Sequence, residues 1–246
     1  MTLSKKPPGL LHATWLLVRK DLLLEWRTRA RANALFFFAL ATLLLFSFAL
    51  GPDTTILQRA AGGTLWLAIL LASVLALGES FRVEQENAAL DGLRLAPADA
   101  RALFLAKAVS NGVLLLLLGA GILPVLGALA GLTLAQRIVI NSPVATFALT
   151  GSAAMALVLV LGCLAIAAPG TVYAAIASNA RARDVLLPLL LFPLLIPALV
   201  AAAKATALAL EGDPMLQFGS WLGLLASFDL IYWSLGFALF PLVVED

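Results

Sequence analysis

The side chains that could take part in chemistry are concentrated in one segment, residues 79–107. Its acidic residues alternate with apolar ones: Glu79, Glu84, Glu86 and Asp91 with Phe81, Val83, Leu90, Leu93 and Leu95. Such a surface can insert apolar side chains into a groove on a partner while its acids meet basic residues around the rim. A solvated loop that joins two helices fits the same composition. Both interpretations stay open on the residues alone.

Asp229 is a second candidate because it lies in a long apolar stretch, within the run SFDLIYW. Ionisable groups inside a membrane are costly and are functional candidates by default. Ser227 and Tyr232 are its candidate hydrogen-bond partners. Two roles follow from this position: a structural hydrogen bond between helices, or a place in a transport pathway.

Several kinds of chemistry are excluded by missing residues. A phosphate-binding loop needs GxxxxGK[ST], and none of the five lysines lies in that motif. One histidine, His12, excludes an HExxH protease and a two-histidine metal or haem site within the chain. One cysteine, Cys163, excludes an intrachain disulfide. We therefore predict that the chain is not an enzyme, has no catalytic or metal site and binds no cofactor itself, and that nucleotide-driven work belongs to another subunit.

The composition indicates a membrane protein. Of the 246 residues, 62% are hydrophobic and 12% are charged, and the mean hydropathy is +1.02. Soluble domains are about 45–50% apolar and about 25% charged. Runs of about 20 apolar residues, enough to cross the bilayer, are predicted at 33–50, 60–78, 103–132, 144–176, 185–210 and 215–244. The expected fold is all-α, a single transmembrane domain over residues 1–246 with six transmembrane helices.

Residues 10–31 precede the first span and predict an amphipathic helix that lies in the interface between membrane and cytoplasm. Apolar residues recur at helical spacing: Leu11, Trp15, Val18, Leu22 and Trp26. Lys20 and Arg27 project roughly opposite this stripe, and Arg19 belongs to the same interfacial helix. Tryptophan and basic side chains suit a helix in the headgroup layer. The helix is either a simple anchor or also a contact for a cytoplasmic partner.

Lysine and arginine are distributed unevenly over the connections between spans. Of the 16, 13 lie before the first span, between spans two and three, or between spans four and five. Positive loops stay on the cytoplasmic side, so both termini are predicted to be cytoplasmic. The net charge of +2 is too small to indicate nucleic-acid binding.

Several motifs occur in a recognisable order along the chain. They are the N-terminal run LLVRKDLLLEWRTR, the series Phe81, Glu84, Leu90, Asp91, Gly92, Leu93, Pro97 and Lys107, and the runs ARARDVLLPLLLFPLLIPAL and FDLIYW. In these motifs the chain resembles the cytochrome c maturation permease B family (haem exporter protein B, CcmB). That family is a branch of the exporter-type, ABC-2-like permeases of ABC transporters.

The resemblance implies a permease subunit in the bacterial cytoplasmic (inner) membrane, driven by a separate ATPase subunit that holds ATP and magnesium. It implies a second permease copy as partner, together with a haem-handling membrane protein and a periplasmic haem chaperone. Residues 79–101 would form the coupling segment that docks into the ATPase, through Phe81, Glu84, Glu86, Leu90, Asp91, Gly92, Leu93 and Pro97.

The direct role of haem stays open. Either haem passes through the permease as cargo, or ATP hydrolysis drives release of the loaded chaperone. Two other functions also stay open: an ABC exporter permease for a lipid, drug or glycan, and an ion-driven secondary transporter.

Overall fold

The computed structural model describes residues 9–86, 100–132, 138–141, 146–178 and 183–245. Within them the elements are α1 (Leu10–Thr28), α2 (Ala30–Leu50), α3 (Thr54–Glu86), α4 (Ala100–Ala130), β1 (Ile138–Asn141), β2 (Thr146–Leu149), α5 (Gly151–Ser178), α6 (Arg183–Glu211) and α7 (Phe218–Glu245). Helices α2 to α7 are each long and apolar enough to cross a membrane. The prediction of six spans is confirmed. We call the face at which α2 begins and α3 ends the α1 side of the membrane.

The predicted start of the fourth span, at residue 144, is wrong. Helix α5 begins at Gly151, because residues 146–149 form β2 and pair with β1 in an antiparallel hairpin. In its register, Ile138 faces Leu149 and Asn141 faces Thr146. Ile138 and Ile140 are buried, and β1 contacts α7. Residues 138–141 and 146–149 therefore form a small two-stranded sheet next to the helices.

Helices α3 and α5 lie at the centre of the bundle. Helix α5 packs against α3, α4, α6 and α7, whereas α3 packs against α2, α4, α5 and α6. Small residues permit close approach, which is how transmembrane helices associate where lipid is as apolar as the side chains. A Cβ atom on Gly62 would lie 2.5 Å from the Ala203 carbonyl oxygen, so α3 and α6 are in backbone contact there.

Trp66 anchors the same interface of three helices. Its ring is 2% exposed and lies directly against Gly162 of α5, where a Cβ atom would overlap it. Its indole N–H donates a hydrogen bond of 2.9 Å to Thr206 Oγ1 of α6. A buried tryptophan N–H needs a partner, and Thr206 supplies it, so α3, α5 and α6 are held in one arrangement.

A cluster of aromatic rings holds α4 against α7 near the α1 side. Phe104 contacts Trp233 and Phe240, with centroids 6.0 and 5.5 Å apart. The guanidinium of Arg101 lies 5.3 Å from the ring centre of Phe237. The start of α4 is thereby fixed to the end of α7.

Candidate coupling site

The predicted coupling residues fall at and beyond the end of α3. Helix α3 continues to Glu86, so Phe81, Glu84 and Glu86 lie in its last two turns. The other residues predicted for this role lie outside the described residues: Leu90, Asp91, Gly92, Leu93 and Pro97. Helix α4 then starts at Ala100. The segment 79–101 thus joins the α1-side ends of α3 and α4, and its part in coupling remains a prediction.

Lys107 is buried at the base of this segment, which the sequence analysis did not anticipate. It lies two turns inside α4, with 5% of its surface exposed. Its Nζ donates a hydrogen bond of 3.2 Å to the Ser80 carbonyl of α3 and lies 3.2 Å from Asp21 Oδ2 of α1. We call Asp21, Ser80 and Lys107 the Lys107 cluster. It links the helices on both sides of the coupling segment to the N-terminal helix.

The burial of Lys107 also corrects the reasoning on topology. Lys107 is one of the 13 basic residues assigned above to the connections, in its case to the one between spans two and three, but it lies inside a membrane-spanning helix. Without it, 12 of the 16 basic residues still precede the first span or lie in the connections between spans two and three and between spans four and five, so the asymmetry of the sequence persists.

Helix α1 packs against α4 through a face that contains acids. Val18 is 5% exposed, and the side chains of Asp21 and Glu25 are 14% and 19% exposed. Glu25 and Arg31 form an ion pair of 3.4 Å across the junction with α2. Two acids four residues apart on an amphipathic helix share one face. That spacing was the available signal for an inward acidic face, and the sequence analysis missed it.

The residues predicted to meet the headgroups lie on the opposite, exposed face of α1. Trp15 and Trp26 are 64% and 71% exposed, and the other three are also exposed: Arg19, Lys20 and Arg27. Lys20 lies 3.2 Å from Asp21 Oδ1. This exposure fits contact with lipid, and an interfacial position for α1 remains a prediction.

Arg29 forms the joint between α1 and α2. Its backbone is left-handed, with φ 48° and ψ −12°, a conformation that is uncommon for residues other than glycine. Its N–H donates to the Glu25 carbonyl at 2.9 Å. Its side chain donates to the Trp26 carbonyl and stacks 5.0 Å from the Trp26 ring centre. These contacts offset the cost of the conformation, so α1 turns sharply away from α2.

A polar pair continues from the Lys107 cluster toward the membrane centre. Asn111, one turn further along α4, is 1% exposed and donates a hydrogen bond of 3.3 Å to Thr171 Oγ1 of α5. Thr171 is fully buried and donates to the Ala167 carbonyl at 2.7 Å. The α1-side half of α4 therefore contacts its neighbours through polar as well as apolar side chains.

Asp229 is buried in α7, with 9% of its surface exposed. Neither carboxylate oxygen has a hydrogen-bond partner among the described residues. The prediction that Ser227 or Tyr232 is its hydrogen-bond partner is therefore wrong. Ser227 instead donates to the Gly223 carbonyl at 2.7 Å. The Trp233 indole N–H, one turn away, also has no partner in the described part of the chain. These groups make a polar patch inside an otherwise apolar helix.

The geometry of the fold and of this cluster defines a class of protein. Six apolar helices long enough to cross the membrane pack around a core of alanine, leucine and aromatic side chains, and a charged cluster ties the N-terminal helix to them at one side. This is a multi-pass α-helical membrane protein.

Comparison with known proteins places the chain within that class. Residues 12–241 match the family model described as CcmB protein. The chain is 30% identical over 225 residues to heme exporter protein B of Bradyrhizobium diazoefficiens, covering 89% of this chain and 91% of that protein. It is 32% identical over 219 residues to heme exporter protein B of Pseudomonas aeruginosa, and the alignment covers 87% of this chain and 89% of that protein. The chain belongs to the CcmB family of membrane permeases.

Proposed function

We propose that this chain is the permease subunit of an ABC transporter that exports haem, or releases a loaded haem chaperone, during cytochrome c maturation. The observation that carries the proposal is the family match over residues 12–241, together with relatives named heme exporter protein B that align along most of their length. The subunit hydrolyses no ATP itself. ATP and magnesium bind to a separate ATPase subunit.

The same proposal includes partners and location. The permease works as a pair of copies with the ATPase, a haem-handling membrane protein and a periplasmic haem chaperone. It lies in the bacterial inner membrane with both termini in the cytoplasm, which places the α1 side, rich in lysine and arginine, on the cytoplasmic face.

Coupling in this proposal runs through the α1-side ends of α3 and α4. The ATPase contacts the segment 79–101, and its closure moves those two helix ends relative to each other. The Lys107 cluster supports this role because it joins both ends to α1. Ion-pair and hydrogen-bond networks between packed helices are the kind of element that carries such a change.

Co-purification tests the docking role of the segment. Asp91→Arg places a positive charge opposite the basic rim proposed for the ATPase, so we expect the ATPase to be lost from the purified permease while membrane insertion is retained. Glu211→Arg, the same charge reversal at an exposed site at the other end of the bundle, is the control. Equal recovery of the ATPase with both variants would contradict docking through Asp91.

Gene deletion tests the cargo. We expect deletion to abolish covalent haem staining of c-type cytochromes and to leave b-type cytochromes intact. Loss of lipid or drug export with normal c-type cytochromes would instead indicate an exporter with another cargo. Transport by the permease in proteoliposomes without an ATPase subunit would indicate an ion-driven transporter.

A further inference from the structure

A cavity of about 850 Å³ lies between α1, α2, α3 and α4 on the α1 side. Pockets that hold small molecules are about 300–1,000 Å³. One end of the cavity is lined by charged side chains and the other by apolar ones: Leu35, Phe36, Leu114, Leu117 and Leu118. The cavity therefore has the polarity of an amphiphile.

The charged end contains equal numbers of acids and bases. They are Asp21, Glu25 and Glu79 against Arg29, Arg31 and Lys107. Sites for anionic lipids are typically clusters of four to eight basic residues. Here three carboxylates balance three positive charges, so the lining favours an occupant that carries both signs.

The Glu25–Arg31 ion pair presents both signs of charge to the cavity. The two side chains are 19% and 25% exposed, and Arg31 Nε lies 3.4 Å from Glu25 Oε2. Glu25 Oε1 and Arg31 Nε are themselves buried without a hydrogen-bond partner among the described residues, so an occupant contacts the accessible atoms of the pair rather than these two. An occupant with an N–H donor for the Glu25 carboxylate and an anionic oxygen for the Arg31 guanidinium would bind the pair from the cavity side.

The apolar end is continuous with the lipid-facing surface. Leu117 lines the cavity and is 64% exposed, and Leu24, on the α1 wall, is 49% exposed. These side chains lie on helices that face hydrocarbon or the headgroup region. An acyl chain can thus leave the cavity along Leu117 without meeting water.

We propose that this cavity binds a zwitterionic phospholipid with a primary ammonium group, phosphatidylethanolamine. The phosphate meets Arg31, the ammonium donates to Glu25, and the glycerol and upper acyl chains fill the apolar end. The lipid then lies between α1 and α4, beside the Lys107 cluster, and its binding stabilises the docked position of α1.

The test measures lipid binding to the purified full-length permease by native mass spectrometry and thermal shift, after delipidation in mild detergent. The probes are palmitoyl-oleoyl phosphatidylethanolamine, the phosphatidylcholine with the same chains, and the matching phosphatidylglycerol. We expect the ethanolamine lipid to bind on the order of ten-fold more tightly than the choline lipid, because a quaternary ammonium cannot donate a hydrogen bond. Glu25→Gln is expected to remove this preference, and the exposed control Glu211→Gln to keep it.

Three results would overturn the proposal: equal binding of all three lipids, tighter binding of phosphatidylglycerol, or a dimer whose second copy fills the cavity and excludes lipid. If Glu25→Gln fails to fold, the comparison of the ethanolamine and choline lipids on the wild-type protein still decides the outcome.

Discussion

Replacing Lys107 by methionine tests the central structural claim, that a buried ion pair fastens α1 to the membrane helices. Methionine keeps the unbranched apolar stem and removes the charge. The change leaves Asp21, whose side chain is 14% exposed, without its partner in α4, and leaves the Ser80 carbonyl without its hydrogen bond from Lys107. Breaking one side of a buried pair costs about 3–5 kcal/mol.

The magnitude lies at the lower end of that range. Asp21 keeps its ion pair with Lys20, at 3.2 Å on a more exposed side chain. We therefore expect a loss of about 3 kcal/mol in the free energy of unfolding. For a protein of 150–250 residues this corresponds to a decrease in Tm of about 6–12 °C.

The assay is thermal unfolding of the purified permease in one detergent, for wild type, Lys107→Met, Asp21→Asn and the double variant. The double variant leaves no uncompensated charge, so its loss is expected to be smaller than the sum of the two single losses. Lys204→Met is the control, because Lys204 is exposed and lies near the end of α6 that is opposite the α1 side. The reasoning is refuted if the free energy of unfolding of Lys107→Met lies within about 0.5 kcal/mol of the wild-type value. It is also refuted if the loss in the double variant equals the sum of the two single losses within about 0.5 kcal/mol.

Three further predictions concern other parts of the bundle. Gly62→Ala forces a methyl group against the Ala203 carbonyl and is expected to cost about 1–3 kcal/mol in thermal unfolding, whereas Gly63→Ala, with open space at the Cβ position, costs nothing. Asp229→Asn is expected to leave insertion and Tm unchanged and to lower cytochrome c maturation; full maturation would assign Asp229 a packing role only. Asp213→Ala removes the carboxylate whose two oxygens accept hydrogen bonds from the Gln217 and Phe218 N–H groups at 2.8 and 2.7 Å, and a loss of about 1 kcal/mol in thermal unfolding is expected. Asp213→Asn is also expected to be less stable than wild type, because its amide keeps one acceptor oxygen and turns an NH2 donor toward the other N–H.

The helical spans were predictable because crossing a bilayer is a local requirement. Each span needs about 20 consecutive apolar residues. In the bilayer core no water is available to replace a missing backbone hydrogen bond, so the backbone must be helical throughout the span. The prediction failed at a short apolar run, because such a run does not by itself distinguish a strand from the start of a buried helix. Residues 146–149 look like the start of an apolar helix, yet they pair as a strand with residues 138–141.

The candidate site was predictable only in part. The coupling segment followed from its acids and from the resemblance to a family, both of which are carried by residue order. The role of Lys107 did not follow, because its partners lie 27 residues away, at Ser80, and in a separate helix, at Asp21. From the sequence alone, a lysine near the end of a predicted span is assigned to the adjoining loop. Whether it is buried depends on how its helix is rotated and packed against the other helices.

The amino-acid sequence alone determined the class of this protein, its six crossings and its family, since hydropathy, length and motif order are properties of neighbouring residues. Only the tertiary structure decided which charges face inward. The Asp21–Lys107 pair, the small-residue contact at Gly62 and the amphipathic cavity depend on how helices distant in sequence rotate and approach, and distances between such helices are set by packing of the whole bundle.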